Sequence, residues 1–594
     1  MTFPSGSRRT FTSTLVRTCL LLVLSLAIAF QTRAQDQPEP SGDDPQLPEI
    51  APQEIEIRGE LQINLPSLQR QPLTGFRVPR SIPAYPTDRL PPAETYKQEL
   101  DALPQSRPDV ELAAPALSGS AEPATGMVEA GGGRYFSRFV AGRLDLPVTT
   151  NESFTLSGDY SGTNGHEPFD GSSIDTPYDA LDGAVRFQSR RSAVSVDAGV
   201  HGAYDSYNLF GARLSPTAPL LSPQPDRTGW TVGGNASLRT HGQIPVSLAV
   251  GLDNTTYETQ IRPDSIADAR SFSASRFDAS ASVALPLGRS QADLDAQVTV
   301  GGVDGSGVFE GDVATFDAGG DALLVRRGAL QVRGGARLLT FRAPVAPTSG
   351  ASPTATATFI APAFRAQWQA RPGFQVYAQN DPRLSPNTLA SVMRDNPYLE
   401  PAPGLRPTLE TTRAEAGVEI SAGSVRITAS AGYRYAPSFL HFAPDSRSAY
   451  EDGVFRSAYD SARIIHGGGS IALQGLDRFQ ASLGLRVRDG ELTESNRSIP
   501  NFAPLTVDAM VSTSFLEDQG RIRITAEALG PRPVGGADAP EDVGTYAAVD
   551  IEGSYAISPL MDVIARVENI GATERWNRYE RPPAVVSGGI RIHW

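Results

Sequence analysis

The chain has 594 residues, a formal net charge of -14 and 40% hydrophobic residues. The acidic balance excludes a nucleic-acid binder, which needs a basic face. Past residue 40 no apolar run reaches the length of about 18 residues that a spanning helix requires, and neither glycine nor proline follows a repeating period.

Residues 1–34 read as an export signal. Arg8, Arg9 and Arg17 supply positive charge, CLLLVLSLAIAF (Cys19 to Phe30) is an apolar core too short to span comfortably, and Ala34 ends a cleavage-site pattern. SRRTFT is also similar to a twin-arginine signal, but the strongly apolar core favours the general secretory route. The single cysteine, Cys19, lies inside this segment. A mature chain without it has no disulfide and no thiolate–metal site.

Residues 35–125 are proline-rich and irregular, as in QDQPEPSGDDPQLPEIAPQ and VPRSIPAYPTDRLPPAETY. Proline at this density removes ladder donors and favours extended chain, so a periplasmic or lumenal segment is expected here and not a packed domain. One piece differs. QEIEIRGELQINLP (Gln53 to Pro66) alternates Ile55 and Ile57 with Glu54 and Glu56, a short strand signal.

From residue 126 to the end, short alternating runs follow one another. SVRITASAGYRY sets Val425, Ile427, Ala429, Ala431 and Tyr433 against Arg426, Thr428, Ser430 and Arg434. DRFQASLGLRVR sets Phe479, Leu483, Leu485 and Val487 against Arg478, Gln480, Ser482, Arg486 and Arg488. GRIRITAEAL sets Ile522 and Ile524 against Arg521, Arg523, Thr525 and Glu527. Each run has about the length that crosses a bilayer as a tilted strand. A soluble sandwich also alternates, but its outer faces seldom run so long and so evenly. Lipid outside and water inside demand an apolar exterior and a charged interior, and lipid forbids open sheet edges.

The connections alternate strictly between short (PVTTNE, SRR, HGQ, PLGRS, RRG, ARPG, SAGS, GLD, EDQ, ISP) and long, the longest spanning 381–410. Short periplasmic turns and long outer loops are the habit of outer-membrane barrels. If Trp594 ends in the periplasm, GRYFSRFVAGRLDL (Gly133 to Leu146) descends, and TGMVEAGG (Thr125 to Gly132) must ascend before it. The expected fold is therefore all-β, a transmembrane antiparallel β-barrel of about 22 strands over residues 126–594 in the cell outer membrane. Alternation continues to the last residue: Ser587, Gly589, Ile592 and Trp594 fit a polar–x–Gly–x–x–apolar–x–aromatic spacing. That spacing is similar to the terminal signal read by the barrel-assembly machinery.

Two stretches invite comparison with a known family. FQVYAQNDPRLSP leads to Asn396, Pro397, Leu399 and Pro401, then to a strand with Glu415 and Gly417. Near the end, Val567, Glu568, Asn569 and Ile570 precede the last loop and strand. Together with MVEAGGGRYFSRFVAGRLDL these resemble the barrel of TonB-dependent outer-membrane receptors. There are departures. Pro582, Pro583 and Ala584 stand where the family has Pro-Gly-Arg. The family's folded plug is longer than the roughly 90 residues available before this barrel. The resemblance implies that Glu54, Ile55, Glu56 and Ile57 are a candidate TonB-contacting box, able to pair as an added strand with an inner-membrane energising protein.

No Gly-x-Ser-x-Gly elbow, HExxH or nucleotide loop is evident, the six histidines are scattered, and acidic loops lack Ca²⁺-loop spacing, so neither an enzyme nor a cofactor is expected. NGHEPFD around His166 reads as a solvated outer loop. Arg426, Arg434, Arg478, Arg486, Arg488, Arg521, Arg523 and Glu527 are expected to line the lumen, where charged rows tune selectivity or pair with one another. The functional expectation is a barrel that transports or binds an unknown ligand at the cell surface. The alternative is a plugless passive channel or a structural barrel subunit of an envelope complex. Expected partners are outer-membrane lipid, the assembly machinery and the energising protein, with no nucleic acid.

Overall fold

The computed structural model describes residues 125–594, apart from 168–174, 211–223, 261–268, 289, 306–310, 345–353, 401–402, 445–453, 477, 534–541, 572–573, 577–578 and 581–583. The segments read above as export signal, proline-rich stretch and candidate TonB-contacting box lie outside the described residues.

Of 25 strands in the main sheet, three short ones (Arg383–Ser385, Thr408–Glu410 and Arg497–Ser498) belong to loops, and the remaining 22 form the wall. Every wall strand pairs antiparallel with its neighbours in sequence. The first, Gly126–Gly133, pairs with the last, Val585–His593, from Met127↔His593 to Gly133↔Ser587. The sheet therefore has no edge, as a backbone in hydrocarbon requires.

The two faces separate as lipid and water would dictate. On Phe479–Leu492, Leu483, Leu485 and Val487 point outward and are exposed, while Arg488 on the other face is only 5% exposed. Outward aromatic pairs stand near both ends of the wall: Phe154 and Phe187 near the short-turn rim (centroids 4.9 Å apart), and Tyr204 and Trp230 near the long-loop rim (4.5 Å). Between them lie exposed Leu156, Leu181, Val185 and Val200. An apolar band bounded by aromatic rims on a closed barrel is the signature of the outer membrane. The short turns are built for this geometry. Gly328 (φ +57°) and Gly423 (φ +58°) take the left-handed conformation that a two-residue turn needs and that a side chain resists.

Two details differ from the expectation. The first hairpin runs Gly126–Gly133, a single turn at Arg134–Phe136, then Arg138–Thr149. Tyr135 and Phe136 sit at φ 60° and 51°, and Asn164 donates to the Tyr135 carbonyl (3.1 Å), so the turn is held by the next outer loop. Some strands also outrun the bilayer: Val425–Pro444 and Phe455–Leu476 have 20 and 22 residues. Their outer halves pack against an inner loop described below, which rewards extension beyond the lipid.

The closing seam carries a buried ion cluster. Glu129, on the first strand, accepts from Arg591 Nη2 (2.8 Å) on the last strand and from Arg566 Nη2 (2.6 Å) on the strand before it. Glu552 reaches Arg591 at 3.4 Å, and Arg566 lies over the Phe139 ring at 4.6 Å. The Glu129 side chain is 2% exposed, so removing it would leave two buried cations sharing the more distant Glu552 carboxylate. Glu129→Ala should therefore cost about 3 to 5 kcal/mol in denaturant unfolding from micelles. Arg426→Ala, which removes a half-exposed partner 3.5 Å from Glu419, should cost no more than about 1 kcal/mol.

Candidate functional site

The outer loop between Phe374–Asn380 and Thr412–Ala422 does not project outward. It folds into the barrel. Its stem is a short antiparallel pair, Arg383↔Glu410 to Ser385↔Thr408. Asn387 Nδ2 ties the stem by donating to the Arg406 carbonyl (2.7 Å). A helix follows, Leu389–Asp395, started by a capping box: the Thr388 hydroxyl accepts from Ser391 N (3.0 Å), and Ser391 Oγ accepts from Thr388 N (2.9 Å). The helix ends where proline at 397 disfavours a helical residue before it. There the Asn396 side-chain oxygen accepts from Tyr398 N (3.0 Å).

This loop is held from opposite walls. Arg227, fully buried on the sixth wall strand (Asp226–Thr240), donates to the carbonyls of Pro397 (2.7 Å) and Leu399 (2.6 Å) and to the Thr259 hydroxyl (2.9 Å). Tyr207 Oη donates to the same Pro397 carbonyl (3.0 Å). From the sixteenth wall strand, Phe455–Leu476, Phe455 N donates to the Tyr398 carbonyl (2.9 Å), and Glu400 N donates to the Phe455 carbonyl (2.7 Å). Leu389, Val392, Met393, Leu399 and Leu405 from the loop complete one apolar core with Tyr257, Phe272 and Val303 on one wall and Leu440, Phe442 and Phe455 on the other. A packed septum thus crosses the outer half of the lumen.

Beside the septum lies a cavity of about 540 Å³. Its wall side is polar: Asp159 and Asp182 face each other across neighbouring strands, and Asp253 is paired with Arg276 (2.8 Å) and His201 (3.2 Å). Its septum side is Thr388, Ala390 and Arg394. Arg394 lines the same cavity as Asp159, Asp182 and Asp253, so the helix presents a cation to an acidic wall.

The residues singled out from sequence fall as follows. Arg426, Arg434, Arg486, Arg488, Arg521 and Arg523 alternate with exposed apolar neighbours on their strands and lie on the lumenal face with Glu527. Arg434 belongs to a cluster in which Arg383 (3.1 Å), Arg434 (3.8 Å) and Arg413 (3.9 Å) surround buried Glu410. Arg488 donates to the Ala503 carbonyl (2.8 Å) and lies over Phe502. Arg478 is different. It precedes its strand, in a short turn, 3.9 Å from Asp518 of the next turn, because the ladder begins only at Phe479. Ser587, Gly589, Ile592 and Trp594 lie on or just past the last strand. The Trp594 carbonyl accepts from Thr125 N (2.8 Å) and Gly126 N (2.9 Å), and its indole covers Gly126, where any side chain would collide. His166 is not solvated: it is buried in its loop, 2.8 Å from the Thr176 hydroxyl, and burial holds its pKa below the ordinary histidine value.

Sequence reasoning missed the septum, Arg227 and Glu129. The available signal was the apolar set Leu389, Val392, Met393, Leu399 and Leu405, out of place in an aqueous loop. Among the described residues no group of three or more His, Cys, Asp or Glu is placed to hold a metal.

Solved structures that share this architecture include proteins named as transporters and receptors. The FrpB iron transporter from Neisseria meningitidis superposes with a TM-score of 0.60 at 10% identity, over 80% of this chain and 83% of its own. The siderophore receptor PirA from Acinetobacter baumannii gives 0.58 at 11%, over 80% and 81%. The pyoverdine outer membrane receptor FpvA from Pseudomonas aeruginosa PAO1 gives 0.59 at 11%, over 80% and 79%. The fold is that of the TonB-dependent receptor barrel. No protein-family model and no curated protein sequence matches the chain.

Two outcomes follow from this geometry. Thr388→Ala removes the helix cap and should loosen the septum by about 1 kcal/mol, read as faster proteolysis near Arg394. The loop around His166 favours the neutral ring, so its stability is present above the unfolded value of about 6.5 and is lost as pH falls through the lower folded value. Proteolysis of that loop should accelerate on acidification, and His166→Asn should flatten the pH dependence.

Proposed function

We propose that this chain is an outer-membrane transporter or receptor that takes a ligand from the cell surface into its lumen. The observation that carries the reading is the cavity between the acidic wall and the septum helix, because a barrel whose outer half is crossed by packed side chains is organised for holding and passing a ligand, not for free diffusion. The shared fold with proteins named as iron transporters and siderophore receptors supports it, although fold alone does not give function. In this reading Glu54, Ile55, Glu56 and Ile57 contact an inner-membrane energising protein of the TonB type. Ser587, Gly589, Ile592 and Trp594 serve barrel assembly, and the lumenal arginines with Glu527 shape the path. The proline-rich composition of residues 35–125 favours the second reading, a passive channel or structural subunit. Co-purification of the full chain with the energising protein separates the two. Deleting residues 54–59 should abolish capture if uptake is energised. Capture that is unchanged by the deletion, or absent from the intact chain, contradicts the energised reading.

A further inference from the structure

We propose that the inward loop is a gate, and that Arg227 is the latch that holds it shut. The inference rests on the barrel being a conduit, but not on any ligand or energy source.

The loop is dispensable for the wall. The strands it joins pair directly with each other, up to Asn380↔Ala414, so the ladder is complete without it. Its stem is only three residue pairs long, and its helix has seven residues. The septum can therefore leave the lumen as a unit while the barrel stays closed to lipid. Near the stem it is tied to the wall by the Gly404 carbonyl, which accepts from Ser457 and Tyr459, and by the Pro407 carbonyl, which accepts from Ser438. Deeper in the lumen it is held by the shared apolar core and by Asn396–Leu399, which forms a single bridge to Phe455 on one wall and bonds to Arg227 on the other.

Arg227 suits a latch more than a permanent strut. A buried guanidinium is costly unless its donors are satisfied. Here the loop supplies two carbonyls and the Met393 sulfur (3.7 Å), and the wall supplies the Thr259 hydroxyl (2.9 Å) with Tyr207 beside it. With the loop gone, water entering the lumen would solvate the same charge. The guanidinium thus has partners in both states, satisfied by the loop when shut and by water when open. Such a group holds a two-state element without locking it. The loop carbonyls would likewise be solvated by water, so the cost of opening falls on the apolar contacts of Leu389, Val392, Met393, Leu399 and Leu405.

The test is single-channel conductance in planar bilayers, using the full chain, Arg227→Ala, and a full chain in which residues 386–406 are replaced by a short Gly-Ser linker. Heat-modifiable gel mobility confirms folding of each. The wild type should be almost always closed. Arg227→Ala should raise the open probability at least about tenfold, the factor expected from losing charge-assisted bonds to two carbonyls. The linker variant should stay open. If Arg227→Ala does not fold, the linker variant decides the matter. A folded linker variant as closed as the wild type, a wild type as open as the linker variant, or a folded Arg227→Ala with unchanged open probability overturns the proposal.

Discussion

The bilayer leaves no backbone hydrogen bond unmade, and that single constraint organises the protein. Each strand edge has to find a neighbour, so the last strand has to return to the first. The seam is where this return happens, between segments more than 400 residues apart in sequence (|i−j| 462 for Arg591 and Glu129). Ladder bonds align the two strands, the terminal Trp594 carbonyl caps the first strand, and Glu129 gathers Arg566 and Arg591 on the watery side. Loop-closure entropy opposes a contact of such separation, so it needs backbone pairing and side-chain charge together.

Once the wall is closed, the interior becomes a second folding problem. A large polar lumen cannot pack on its own side chains. The outer half is filled by a loop that behaves like a small core: a capped helix, apolar anchors from both walls, and a buried cation that reads backbone carbonyls. The remaining lumenal charges largely satisfy one another. Arg333 bridges Asp293 and Asp321, and Arg337 bridges Asp295 (2.6 Å) and Asp317 (2.8 Å). Strand and septum are thus joined by chemistry of different range: ladders hold the wall, and a few polar contacts set where the loop sits.

The wall was legible because lipid and water alternate with the same period as the strand. Val586, Ile590, Ile592 and Trp594 face out and Ser587, Gly589, Arg591 and His593 face in, so a run of nine residues already states the environment. Parity then required an ascending strand before Gly133, and Gly126–Gly133 fills that place. The septum was not legible. Arg227 and Pro397 are 170 residues apart, and what Arg227 reads is carbonyl oxygen, which every residue has. The Asn-Pro-x-Leu element was visible as a resemblance, yet its physical role lies in its backbone. Glu129 looked like filler in a short run chosen for parity. Arg478 shows the opposite error: its alternation continues through a turn, so pattern alone placed it one residue too far into the strand.

The most direct measurement is hydrogen exchange of the folded chain, peptide by peptide, over residues 384–400. The backbone amides of Val392, Asn396, Tyr398 and Glu400 each have a partner inside the barrel. They should exchange as slowly as wall strands and much more slowly than an outer loop in water. Exchange of that segment as fast as an exposed loop would mean that no septum forms, and the account of a self-filled lumen would fall.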